Sequence, residues 1–153
     1  MPWTFYKSTD ASAPVLTGQA GSLVALLDAI LVNGYGSKAA AGWSIKLTAT
    51  NARAYRMGAS AKARYDFYVL DDGVNGTGST RQGYVRMFED CTGLATPGAG
   101  VNPVSAGYVR KSASTDATAR AWVAVADART LILYVATGDT AGVSMGVYVG
   151  EIY

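Results

Sequence analysis

Two apolar runs, Ala121–Ala126 and Leu131–Val135, flank the short polar break Asp127-Ala128-Arg129-Thr130. Runs this short, rich in Val, Ile, Tyr and Trp and parted by polar residues, predict an antiparallel β-hairpin. The polar lead-in, Arg110–Arg120, carries Ser, Thr, Asp and Ala, with no spacing of metal ligands or of a nucleophile and its base. The most distinctive words of the chain therefore describe a scaffold and an adhesive surface. They do not describe a reaction.

The rest of the chain agrees with a β-rich fold. Residues 1–21 hold Trp3, Phe5 and Tyr6 and then a loop with Pro14 and Gly18, a pattern of a docking arm or an edge strand. Residues 22–33 predict the one helix: Leu23, Leu26, Leu27, Ile30 and Leu31 fall on a single stripe at helical period, with Ser22 as N-cap and Asn33-Gly34 as the stop. From residue 43 the period changes to two. Ile45, Leu47 and Ala49 predict a half-buried strand, Ala52–Gly58 a short one, and Tyr65, Phe67 and Val69 share one face of a firmer one. Gly83–Asp90 and Gly107–Lys111 are extended, 92–103 is read as a loop, and Val143, Met145, Val147 and Val149 line one face of the last strand. Six to eight strands, one helix and no βαβ rhythm predict a single domain over 1–153. The expected class is mainly β (α+β), an antiparallel β-sandwich or curled sheet with the N-terminal helix packed against it.

Composition narrows the function. Half the residues are hydrophobic and only 16% are charged, against about a quarter charged in ordinary soluble domains. So weakly charged a surface points to partial cover by partners. The net charge of +2 arises from 13 basic and 11 acidic residues. The densest basic cluster is Arg53, Arg56, Lys62 and Arg64, and Arg110-Lys111 is the one adjacent pair; neither makes a stripe of the kind nucleic acids require. There is no histidine and one cysteine, Cys91. That removes Ser-His-Asp and Cys-His catalysis, zinc sites of the usual kind and any intrachain disulfide. The start lacks the basic and apolar regions of a signal peptide, and the apolar stretch at Leu23–Val32 is too short to span a bilayer and contains Asp28.

Each remaining candidate has a plainer reading. Asp71-Asp72 and Glu89-Asp90 are neighbours in sequence, which on a strand point to opposite faces, and serve better as turn and strand-end charges than as a catalytic dyad. The loop Asp71-Asp72-Gly73-Val74-Asn75-Gly76 lacks the ligand spacing of a calcium loop. Cys91 has no basic neighbour and is expected to be a buried, inert thiol. The tyrosines and tryptophans are expected to pack the core with their polar tips at its rim, the alternative being a sugar-stacking platform. No catalytic residue, cofactor or metal is expected. Trp3, Phe5, Tyr6, Arg110 and Lys111 are the interface candidates.

The run Asp116–Thr130 also resembles a phrase found in a family of tailed-bacteriophage virion structural proteins, whose usual form is close to ADATARPWVLVADDRTFYLFV. Gly21-Ser22-Leu23, Leu26-Leu27-Asp28, Leu31–Lys38 and Ala41-Gly42-Trp43 match the same family, and Tyr148–Tyr153 is similar to its "fFGeiySy" strand. The resemblance covers most of the chain, and members of the family continue past the position of Tyr153. It implies a non-enzymatic virion component made in the host bacterial cytoplasm. The expected role is capsid decoration or cement, ahead of a tail or head-tail junction part; a carbohydrate- or host-surface-binding module is the alternative from a different class. The partners it implies are further copies of the chain and other virion proteins such as major capsid or tail proteins; no specific nucleic acid and no membrane are expected.

Overall fold

A computed structural model describes residues 3–59, 61, 64–74, 79–139 and 144–150. The strands are β1 (Thr4–Lys7), β2 (Ser44–Ala49), β3 (Ala52–Arg56), β4 (Asp66–Leu70), β5 (Gln82–Phe88) and β6 (Asp90–Gly93). They continue as β7 (Ala99–Val101), β8 (Gly107–Arg110), β9 (Trp122–Ala126), β10 (Thr130–Ala136) and β11 (Ser144–Gly150). A four-stranded sheet runs β1-β9-β10-β11, a five-stranded sheet runs β2-β3-β4-β5-β8, and β6-β7 form a separate ribbon. Every one of these pairings is antiparallel. The described strands outnumber the six to eight expected. Part of the surplus is β6 and β7, which form a ribbon where a loop over 92–103 is expected. Val143 and 151–153 lie outside the described residues.

The hairpin β9–β10 forms where the apolar runs predict it, with Leu131 opposite Ala126 and Val135 opposite Trp122. Its turn is held by Asp127, whose Oδ1 accepts from the N–H groups of Arg129 at 2.8 Å and Thr130 at 2.9 Å. A side chain that takes two turn amides replaces the backbone partners the turn lacks. The indole N–H of Trp43 donates to the Asp127 carbonyl at 2.8 Å. That bond pins the turn to the chain just before β2.

The predicted helix is present but changes its winding. Ser22–Leu27 (α1) is α-helical and Asp28–Asn33 continues as a π-helical turn. Tyr55 donates to Asp28 Oδ1 at 2.7 Å, and its hydroxyl lies 3.2 Å from the Val24 carbonyl. A polar group from another element placed at the ladder of a helix is one of the recognised causes of such a departure. Leu23, Leu26, Leu27, Ile30 and Leu31 are all buried, and burying such side chains is worth about 1.5–3 kcal/mol each before entropy. They share one apolar core with Tyr6, Leu131 and Val135 of the four-stranded sheet and Tyr55, Phe67, Val69 and Val109 of the other.

The expected N-cap is corrected. Gly21, at φ 80°, holds the cap position without a side-chain bond, and Ser22 Oγ donates instead toward the carbonyls of Thr17 and Gln19. The exposed amide of Leu23 is taken at 2.8 Å by Asp71 Oδ2, which comes from the far end of β4. Gly34 ends the helix as predicted, at φ 73°.

β4 is buried along its whole length. Phe67 and Val69 enter the main core, while Tyr68 and Leu70 enter a second cluster with Tyr84, Phe88 and Cys91. Tyr65, expected on the buried face, precedes the strand and is exposed. β2 departs further: Ile45 is exposed, and the register slips between Ile45 and Leu47. That bulge ends the simple alternation on which its half-buried face was predicted.

Candidate functional site

Among the described residues, exposed aromatic and branched side chains line up on the outer face of the four-stranded sheet. Alternation in β9 and β10 sends Ala124, Ala126, Leu131, Leu133 and Val135 inward. The residues between them must point outward. Register then sorts the outward residues into two rows across the sheet. Phe5 lies opposite Val125, which faces Ile132, which faces Tyr148. Lys7 lies opposite Val123, which faces Tyr134, which faces Gly146. Phe5 is 51% exposed, Val123 40%, Tyr134 52% and Tyr148 48%, and Trp3, one residue before β1, is 51% exposed.

Gly146 belongs to this surface for a steric reason. A Cβ there would stand 3.0 Å from Cε1 of Tyr134, whose ring leans over the missing side chain. An aromatic ring laid over a glycine on the next strand covers backbone that would otherwise be bare. Beside the second row is an apolar hollow of about 320 Å³ lined by Lys7, Ser8, Trp122, Val123, Tyr134 and Val135. The face thus combines ridges of aromatic rings with a depression alongside. It carries one charged side chain, Lys7, among the paired positions of the two rows.

One edge of each large sheet is guarded. Lys38 Nζ donates to the Phe5 carbonyl on the open side of β1 at 2.9 Å. β2, at the end of the other sheet, carries its bulge at Lys46, whose ammonium bonds Asp66 at 2.9 Å and Asp90 at 2.6 Å. Bulges and lysines are how sheets prevent a further strand from adding. Contact through the face is consequently easier than contact through these edges.

The structure separates the interface candidates. Trp3 and Phe5 lie on the exposed face. Tyr6, one residue on, is fully buried and its hydroxyl donates to the Ala39 carbonyl at 2.8 Å. The segment expected as an arm or edge strand is an edge strand of its own sheet, and Tyr6 is a core residue. Arg110 is half-buried and bonds Asp139 Oδ1 at 3.0 Å. Lys111 is corrected outright: its side chain is 0% exposed, with the ammonium 2.6 Å from Asp71 Oδ1. Burial pushes the Lys111 amine down and the Asp71 carboxyl up, although each partner opposes the other's shift.

Other polar clusters are spent inside the fold. Arg53 pairs with Asp28, Arg56 with Asp66 and Asp90, and Arg64 donates to the Met57 carbonyl; Lys62 lies outside the described residues. Asp72 Oδ1 accepts from the Val74 amide, an ordinary turn, and 75–78 lie outside the described residues. Burial raises the Cys91 thiol, and the residue is buried. Among the described residues, no group of three or more His, Cys, Asp or Glu side chains is placed to hold a metal. No helix among them is long and apolar enough to cross a membrane.

Trp3 and Phe5 of this face are among the interface candidates, whereas the sequence pattern alone places the tyrosines of β10 and β11 in the core. The signal was present in β9 and β10, where the residues of each run alternate between two faces. What was lacking was the register that places Phe5 and Tyr148 beside them. Comparison with known proteins adds no relative: no protein-family model matches the chain, and neither a curated protein nor a solved structure matches it.

Proposed function

We propose that this protein is a non-enzymatic structural component of a tailed-bacteriophage particle, acting by adhesion through the outer face of its four-stranded sheet. The observation that carries the reading is the aligned outward row Phe5–Val125–Ile132–Tyr148, half-buried at its middle and exposed at both ends, with exposed Tyr134 and Trp3 beside it. Aromatic side chains are the groups that interface cores favour. An exposed apolar face on a weakly charged chain is costly in water and is relieved when a partner covers it. The phage setting is supported by the sequence resemblance. Within the particle, a decoration or cement role fits best, since such proteins work by burying modest patches repeated over many copies. The two large sheets are read as the layers of a β-sandwich, with the helix packed in the shared core.

The test is composition. Particles released from cells that produce the protein are purified by density gradient and their polypeptides identified by mass spectrometry. The reading expects this chain in the particle fraction, in proportion to the major capsid or tail protein. Recovery only in the free cell extract, with particles devoid of it, contradicts the reading. A carbohydrate-binding role would instead appear as glycan binding lost on changing Trp3 or Tyr134.

A further inference from the structure

We propose that Lys111 and Asp71 are the two halves of an intramolecular isopeptide crosslink, an amide joining Lys111 Nζ to Asp71 Cγ. The inference stands apart from the functional reading. Both side chains are 0% exposed. Nζ lies 2.6 Å from Oδ1 and 2.7 Å from Oδ2. A nitrogen that near to both oxygens has the carbon between them within about 3 Å, the separation of a near-attack arrangement.

A second observation distinguishes this site from an ordinary buried ion pair. Oδ1 is met by Nζ at 2.6 Å, but outside the directions of a good hydrogen bond. Oδ2 is held by the Leu23 amide at 2.8 Å as well as by Nζ. A buried carboxylate oxygen so poorly bonded is rare and calls for a reason. Amide formation supplies one: the carboxyl keeps a single oxygen, the one the Leu23 N–H already holds, and Oδ1 departs.

Burial pushes both groups toward their neutral forms, lowering the amine and raising the acid, against the opposing pull of each partner's charge. The reaction runs from the neutral pair that proton transfer between them produces, a free amine beside a protonated carboxyl. The Nζ lone pair attacks Cγ once the carboxyl turns its face toward it about Cβ–Cγ. The Leu23 N–H stabilises the negative charge developing on Oδ2. Ser22 Oγ at 3.0 Å and the Gln19 carbonyl at 2.5 Å hold the hydrogens on Nζ. A proton from nitrogen passes to the Oδ1 hydroxyl, the Cγ–Oδ1 bond breaks, and one water leaves. No oxidant, reductant or co-reactant enters. The product would tie the end of β4 to the end of β8, 40 residues apart, as a disulfide does in chains with more than one cysteine.

Intact-mass spectrometry of the full chain under denaturing conditions tests this, freshly purified and after prolonged incubation at neutral pH. The expected result is a mass lower than the sequence predicts by one water, with a proteolytic fragment linking residue 71 to residue 111, and full mass in Lys111→Arg. Full mass in the wild type at both times overturns the proposal. So does a water loss that persists in Lys111→Arg, which would place the dehydration elsewhere, as in a succinimide at Asp72-Gly73. If Lys111→Arg does not fold, the fragment map of the wild type decides alone.

Discussion

Arg56 holds Asp66 with two parallel contacts, Nε to Oδ1 at 2.5 Å and Nη2 to Oδ2 at 2.7 Å. The Asp66 side chain is fully buried, and the same carboxylate accepts from Lys46 at 2.9 Å and from the Cys91 amide at 2.7 Å. One anion therefore joins β2, β3, β4 and β6. The two-pronged geometry is the strong form of an arginine–carboxylate bond.

Asp66→Ala leaves Arg56 and Lys46 facing an empty, partly buried site. Removing one member of a buried pair costs up to about 3–5 kcal/mol, and the loss here should fall short of that because Asp90 still holds both cations. Urea unfolding should show the midpoint falling accordingly with little change in slope. Asp90→Ala, at a half-exposed partner of the same cations, should cost much less.

Stability should fall in acid, and Asp66 sets the sign. Burial alone would raise its pKa, but hydrogen bonds from Arg56, the Cys91 amide and Lys46 outweigh it and hold the carboxyl below its ordinary value of 3.8. A depressed folded-state pKa contributes stability that is present above the unfolded value and is lost as pH falls through the folded one. Denaturation midpoints should hold steady from neutral pH down to about pH 5 and then drop toward about pH 2, the range over which such carboxylates protonate. In Asp66→Asn this acid-dependent loss should shrink.

Gly34→Ala should destabilise the chain by about 1–3 kcal/mol, the scale of a residue forced into a strained backbone region. Gly34 sits at φ 73°, and an added Cβ would meet the Lys38 carbonyl oxygen at 2.5 Å. Thermal unfolding measures the loss. Ala29→Gly, inside the π-helical turn, provides a comparison without the clash.

How much of this was legible follows from which interactions are local. The hairpin around Asp127, the stripe from Leu23 to Leu31 and the stop at Gly34 depend on residues a few positions apart, and periodicity displays them. The carboxylate of Asp71 capping Leu23, 48 residues away, replaces an expected local cap at Ser22, and no spacing rule announces it. Lys111 reads as an interface candidate for the same reason, since its partner Asp71 arrives from another strand. The bulge in β2 defeated alternation at Ile45. The outward row from Phe5 to Tyr148 required a register between the first and last strands, which only the folded sheet supplies.

Sedimentation velocity across a concentration series, on the wild type and on the double variant Phe5→Glu, Tyr134→Glu, tests the adhesive face most directly. Both side chains are about half exposed, so the charges should lower the melting temperature only modestly, chiefly through the loss of the Tyr134 ring over Gly146, and leave the fold intact. The wild type should sediment as assemblies that grow with concentration, and the variant as a monomer. A wild type that stays monomeric throughout, or a variant that assembles as readily as the wild type, would contradict the account.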